Sequence, residues 1–302
     1  MGLASRAASG ISGRMAKRVN WDEWPLIRHL PPVVAVVRLQ GAIGQTGGLR
    51  GGMTLSGVAS ALHRAFTTPR VRAVALAINS PGGSPVQSAL IAQRIRDLAR
   101  EHELPVYAFC EDAAASGGYW LACAADQIYA DASSIVGSIG VVSASFGFPE
   151  LLRRHGVERR VYASGDKKVL LDPFEEEDPD DVARLKDIQT DIHAQFKDLV
   201  RERRGGKLAA GEDELFSGAF WTGRRAFELG LVDGLGELRR TLRGIYGPRV
   251  RLRELPIQRK LFGRIPIGGN VAVPAEMAGG GTWTGDVLAG LEERALWGRY
   301  GL

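Results

Sequence analysis

The sequence predicts an α/β fold in which βα units build a mainly parallel sheet. Two observations carry this. Residues 32–43 (PVVAVVRLQGAI), 72–80 (RAVALAINS) and 105–111 (PVYAFCE) are continuous apolar runs, as strands buried on both faces are. The second and third each lead into a helical pattern, 84–102 and 116–126. Buried strands alternating with helices make βα units.

Shorter elements follow in order. QIYADA (127–132) and SIGVVSA (138–144) read as short strands, FPELLRRHG (148–156) as a helix stopped by Gly156, and ERRVYAS (158–164) as a strand. Asp178 and Pro179 are an N-cap and a first-turn proline, so a long helix is expected to about Arg204. WTGRRAFELGLVDGLG (221–236) reads as helix, turn, helix, and 285–302 as a short amphipathic helix. Beyond about Arg253 the composition shifts to Gly, Pro and Ile, and no solenoid repeat is present. The expected organisation is a basic N-terminal arm over 1–30, one catalytic domain over 31–250 and a tail over 251–302, both arms being flexible.

Composition narrows the classes. A chain of 302 residues with 45% hydrophobic and 24% charged residues can bury a core without staples, so wholesale disorder is excluded. The two cysteines, Cys110 and Cys123, make neither a disulfide framework nor a zinc site; they read as small buried residues of a reducing compartment. No apolar run reaches about 18 residues, and the N-terminus lacks the apolar stretch of a secretory signal. A cytoplasmic location follows, with peripheral contact at the inner membrane as an option. Net charge is +5, and basic residues crowd between Arg239 and Arg264. That run is either a solvated edge or a contact for anionic lipid. No aromatic interleaving or zinc-finger spacing points to nucleic acid.

Two segments could carry chemistry. Ala113–Trp120 (AAASGGYW) follows a buried strand and opens a helix. Ser116 at that junction is either a nucleophile beside its own oxyanion donor or an ordinary helix cap. Asn79–Gly83 (NSPGG) ends the second strand, where ligands collect in such sheets. Its glycines can offer a second N–H, or they merely form a turn. The base is open. The five histidines, His29, His63, His102, His155 and His193, read as surface or helix-end residues without motif support. Lysine is the other option, and Ser164–Lys168 (SGDKK) offers two at a strand end.

Together these pieces resemble the signal peptide peptidase A and protease IV family of Ser-Lys peptidases, whose fold is related to Clp protease and the crotonases. The matching segments are NSPGG at 79–83, ASGGY at 115–119, GSIGV at 137–141, SGDKK at 164–168 and WTGRRAFELGLVD at 221–233, in the family's order, within about residues 32–245. The resemblance implies a ClpP/crotonase-like spiral. It makes Ser116 the nucleophile and Lys168, the fourth residue counting Gly165 as first, the general base. Ser138 orients that lysine, and Gly83 and Gly117 are the oxyanion donors. It implies no metal or organic cofactor. It further implies a homo-oligomer whose sites lie at subunit interfaces, acting on unfolded or hydrophobic peptides such as signal-peptide remnants.

The chain departs from the family in showing no N-terminal membrane anchor and in pairing Lys168 with a second cation, Lys167. Two other functions stay open. A crotonase-type acyl-CoA enzyme would use a carboxylate base, Glu111 or Asp112. A non-catalytic oligomeric scaffold would use the basic segment at a membrane. A Clp-type Ser-His-Asp centre is weakest, because no histidine occurs between Ser116 and Gly147.

Overall fold

The computed structural model describes residues 30–44, 52–165, 167–257 and 294–302. Eight strands form one sheet: β1 (Val33–Gln40), β2 (Val71–Ser80), β3 (Val106–Ala115), β4 (Gln127–Ala130), β5 (Ile135–Gly137), β6 (Phe220–Thr222), β7 (Gly234–Leu235) and β8 (Arg251–Glu254). They run β6-β5-β3-β2-β1-β8, with β4 beside β3 and β7 beside β4. Every pair is parallel except β5 with β6. The helices are α1 (Leu55–Thr67), α2 (Pro85–His102), α3 (Gly117–Ala122), α4 (Pro149–Arg154), α5 (Pro179–Arg204), α6 (Glu212–Leu215), α7 (Gly223–Glu228) and α8 (Leu238–Tyr246). The mixed α/β fold with a mostly parallel sheet is as expected.

Central strands are buried on both faces, which is why they read as unbroken apolar runs. On one face Ala35, Val37, Leu76 and Ile78 pack with Leu62 of α1, Ile91 and Ile95 of α2, Leu121 of α3 and Phe196 of α5. On the other, Val34, Val36, Ala75 and Phe109 meet Leu242 of α8. Removing a buried side chain of this kind, as in Leu76→Ala, costs about 2–5 kcal/mol. The helix starts are chemically marked. The side chains of Thr54, Ser84 and Asp178 accept from the N–H groups of Gly57, Gln87 and Asp180.

Several expectations are corrected. Helix α1 gives a weak apolar signal in the sequence, because two of the five residues of its buried stripe, Val58, Ala61, Leu62, Ala65 and Phe66, are alanine. Residues 138–144 and 158–164 are not strands: 158–164 are exposed throughout, 142–144 are exposed while Ile139 is buried, and among the described residues no neighbouring strand completes a ladder with either segment. The strand lies earlier, at β5. The stretch 221–236 is not helix, turn, helix. It contributes the end of β6, then α7, then β7. Strand β8 lies past the expected boundary at residue 250 yet pairs with β1, Val33 opposite Arg251. Arg239, Arg240 and Arg243 of α8 and Arg251 and Arg253 of this sheet edge are exposed, which suits a solvated edge. Nearly all of the 1–30 arm, residues 258–293 and Asp166 lie outside the described residues. Of the helix expected over 285–302, residues 294–298 are helical.

Cys110 and Cys123 are free and buried, and burial pushes both thiols up to about 12. Among the described residues no helix is long and apolar enough to cross a membrane. Nor, among them, do three or more His, Cys, Asp or Glu side chains cluster as metal ligands.

Candidate active site

Ser116 sits between the end of β3 and the first turn of α3, with φ 53° and ψ −121°. A non-glycine residue in that region is strained, and such strain persists only where the surroundings impose it. Here they do. The Ser116 N–H donates to the Gly137 carbonyl at 2.8 Å, and the Ser116 carbonyl accepts from Trp120 at 3.0 Å. The Ser116 hydroxyl makes no cap hydrogen bond. The ordinary helix-cap role is therefore absent, and the side chain is half-buried.

The NSPGG turn lies directly against it. A Cβ on Gly82, at φ +102°, would stand 2.7 Å from Ser116 Cβ and 2.9 Å from Gly117 N. A Cβ on Gly117 would stand 2.4 Å from Ser88 Oγ. Two glycine-bearing loops can approach this closely only without side chains. Gly83 is bridged to Ile43, whose N–H donates to the Gly82 carbonyl at 2.8 Å and whose carbonyl accepts from Ser84 at 2.8 Å. In a parallel bridge that pattern turns the Gly83 N–H away from Ile43. Neither Gly83 N–H nor Gly117 N–H has a hydrogen-bond partner among the described residues.

Ser138 follows Gly137, whose carbonyl accepts the Ser116 N–H. Its φ is 54°, and its N–H donates to the Ala219 carbonyl at 2.7 Å. Its hydroxyl meets the Tyr300 hydroxyl at 3.3 Å. Tyr300 also donates to the Pro81 carbonyl at 3.3 Å and packs edge-on against Phe220, with ring centroids 5.1 Å apart. Sequence reading missed Tyr300, because no local pattern ties residue 300 to residues 81 and 138.

Lys168 is not brought to this cluster. It is exposed, its N–H donates to Gly165 at 3.1 Å, and its side chain has no polar partner among the described residues. Lys167 differs: its amine lies 3.5 Å from Asp181 at the start of α5. The histidine reading needs one correction. His193 lies within the long helix α5, as expected, but it is not on the surface. It is half-buried on α5 with Nε2 3.1 Å from the Ile139 carbonyl. Burial first, then nearby Lys197, lowers its pKa. It supports the backbone after Ser138.

The candidate carboxylate bases are both engaged. Glu111 pairs with Arg38 at 2.6 Å, and Asp112 accepts from Asn79 at 2.6 Å. The flanking motif residues are anchors. The buried Tyr119 hydroxyl donates to the Leu231 carbonyl at 2.7 Å, and Trp120 stacks on Phe196 at 4.7 Å. Asp233 accepts from Arg204 and Lys207, both at 2.6 Å, and from the Ile128 N–H at 2.8 Å. Burial alone would raise its pKa, but these bonds hold it below the usual carboxylate range.

An uncapped serine at a strained strand-to-helix turn, with two unpaired N–H groups beside it, can form an acyl-enzyme and hold an oxyanion. Residues 98–245 match Peptidase family S49. Putative protease slr0021 of Synechocystis is 30% identical over 254 residues, covering 80% of this chain and 86% of that one. A putative signal peptide peptidase of Enterococcus faecium is 31% identical over 166 residues, 55% of this chain and 48% of that one. The chain belongs to peptidase family S49. A Brucella abortus protein named for Na(+)/H(+) antiport is 56% identical over 282 residues, 91% of this chain. That match covers 38% of the Brucella protein's length.

Proposed function

We propose that the chain is a serine endopeptidase of the Ser-Lys type, acting on unfolded or hydrophobic peptides. One observation carries the reading: the Ser116 hydroxyl is released from capping at a strained turn, against the Gly82–Gly83 loop. Ser116 Oγ attacks the peptide carbonyl carbon while the neutral Lys168 amine takes the hydroxyl proton. The Gly83 and Gly117 N–H groups hold the oxyanion. Collapse of the tetrahedral intermediate breaks the C–N bond, and the lysine passes its proton to the leaving amine. Water then attacks the acyl-enzyme, giving a proton to Lys168, and Ser116 recovers it as the ester bond breaks.

Lys168 is preferred over Lys167, whose amine is engaged by Asp181. Ser138 orients Lys168 once its hydroxyl is released from Tyr300. The engagement of Glu111 and Asp112 counts against an acyl-CoA enzyme. The lysine comes from a second copy of the chain, on a ClpP/crotonase-type spiral assembled as a ring. Exposed apolar side chains on the arm that carries Lys168, Phe146 at 80% and Tyr162 at 91%, support this by giving a neighbour something to cover. The name of the Brucella relative supports work beside a membrane.

The test mixes Ser116→Ala with Lys168→Ala subunits, each inert alone. Random pairing restores roughly a quarter of shared sites. Active wild type with an inert mixture would place both residues in one subunit. Assembled wild type that cuts no unfolded protein would sink the reading.

A further inference from the structure

Ser116 leaves β3 and the Gly82–Gly83 loop leaves β2, so their spacing depends on how those strands end. They do not end in regular register. Ile78 lies opposite Cys110, but Ser80 lies opposite Ala114. One residue of β2, Asn79, therefore faces three of β3: Glu111, Asp112 and Ala113. At the same place β3 changes neighbours. Tyr107–Cys110 pair with β4, and Ala113–Ala115 pair with β5.

A bulge leaves ladder groups unpaired and re-aims the chain beyond it. The Asn79 side chain takes up the slack. Its Oδ1 accepts from the Ala113 N–H at 3.2 Å, and its Nδ2 donates to Asp112 Oδ2 at 2.6 Å. Its carbonyl accepts from Gly41 at 2.9 Å, so β1 is tied to the same point. The next side chain, Ser80, is fully buried. Its hydroxyl donates to the Gly41 carbonyl at 2.7 Å and accepts from the Gly82 N–H at 3.3 Å. Two adjacent residues thus pin three strand ends where the nucleophile and the oxyanion loop emerge.

We propose that Asn79 is a positioning residue for the Ser116 reaction, acting through its hydrogen bonds to Asp112 and Ala113. The inference rests on the peptidase reading. Ser116 lies three residues beyond Ala113, so the bulge sets where its hydroxyl falls relative to the Gly83 N–H. The chemistry at this pair is directional. A carboxylate only accepts, so the donor must come from position 79. Asn79→Asp keeps the side chain's shape and the acceptor for Ala113, but it sets two carboxylates face to face. N79D/D112N restores one donor and one acceptor with reversed polarity.

The experiment measures kcat and KM on an unfolded protein for wild type, N79D, D112N and N79D/D112N, well below the thermal midpoint of each. A shift of about 1 Å at a reacting group costs roughly 100-fold, so N79D is expected to lose about 10- to 100-fold in kcat with KM little changed. D112N keeps an acceptor oxygen and is expected to lose little. The double variant is expected to recover most of the loss. A purely structural role predicts instead a lower midpoint with unchanged kcat. Folded N79D cutting as fast as wild type overturns the inference, as does a folded double variant that stays slow. If N79D fails to fold, the double variant decides alone. Wild type that hydrolyses nothing removes the peptidase reading, and this inference with it.

Discussion

Between Ser80 and Ala122 the chain that frames Ser116 is mostly buried, and its loops are tied to neighbouring strands by backbone hydrogen bonds. Between Val142 and Glu177 the chain that carries Lys168 is mostly exposed, with surface pairs such as Arg153–Glu176 and Arg160–Glu158. Solvated pairs of this kind contribute little, about 0–1 kcal/mol each. The first region is held by packing and backbone hydrogen bonds, the kind of support that an oxyanion hole requires. The second leaves its apolar side chains uncovered within one chain. On the proposed reading, one subunit builds the nucleophile and its oxyanion donors, and a second copy supplies the packing that the base needs.

The largest expected effect tests the exposed arm. Lys168→Ala should abolish peptide cleavage while leaving the sheet intact, and Lys167→Ala should keep most of it. The reverse, measured by turnover of an unfolded protein, would move the base to the residue paired with Asp181. Next comes the buried rim. Gly82→Ala puts a methyl group 2.7 Å from Ser116 Cβ, and the loop must shift. Loss of one oxyanion donor costs about 10²–10³ in kcat, and a drop of that order is expected in the folded variant, together with a lower thermal midpoint because alanine is strained at φ +102°. Unaltered kcat would show that the rim is softer than its burial implies.

Asp233→Asn separates stability from activity. Arg204 is buried and would lose its charged partner, so a loss of about 3–5 kcal/mol is expected in denaturant unfolding, with cold activity retained. The pH sign follows from the lowered pKa. The carboxylate stabilises the fold above its unfolded value of about 3.9, and that contribution is lost as pH falls through the lower folded value. Acid unfolding of the variant should therefore lack that component. The smallest effect concerns Tyr300. Tyr300→Phe removes a hydroxyl from Ser138 and Pro81, so activity should rise about two- to ten-fold, the worth of one hydrogen bond. Unchanged or lower turnover would mean that the contact does not compete with the lysine.

Local chemistry made much of this legible in the sequence. Apolar runs declared β1, β2 and β3, since strands buried on both faces need no alternation. Asp178–Pro179 declared the start of α5. Ser116 and the paired glycines stood out because a tight turn accepts few other residues. Strands that depend on distant partners stayed hidden: β6, β7 and β8 are short, and pairing alone makes them strands. Segments 138–144 and 158–164 show the converse, β-prone residues left unpaired.

The sequence by itself determined the fold class, the order of the site segments and the residue types at the centre, because these follow from side-chain burial and backbone freedom at single positions. Only the tertiary structure decided that the Ser116 hydroxyl is uncapped, that Glu111 and Asp112 are spoken for, that Asn79 spans the bulge in β3, and that Tyr300 reaches Ser138. The last three are contacts between residues far apart along the chain, set by strand register and loop packing.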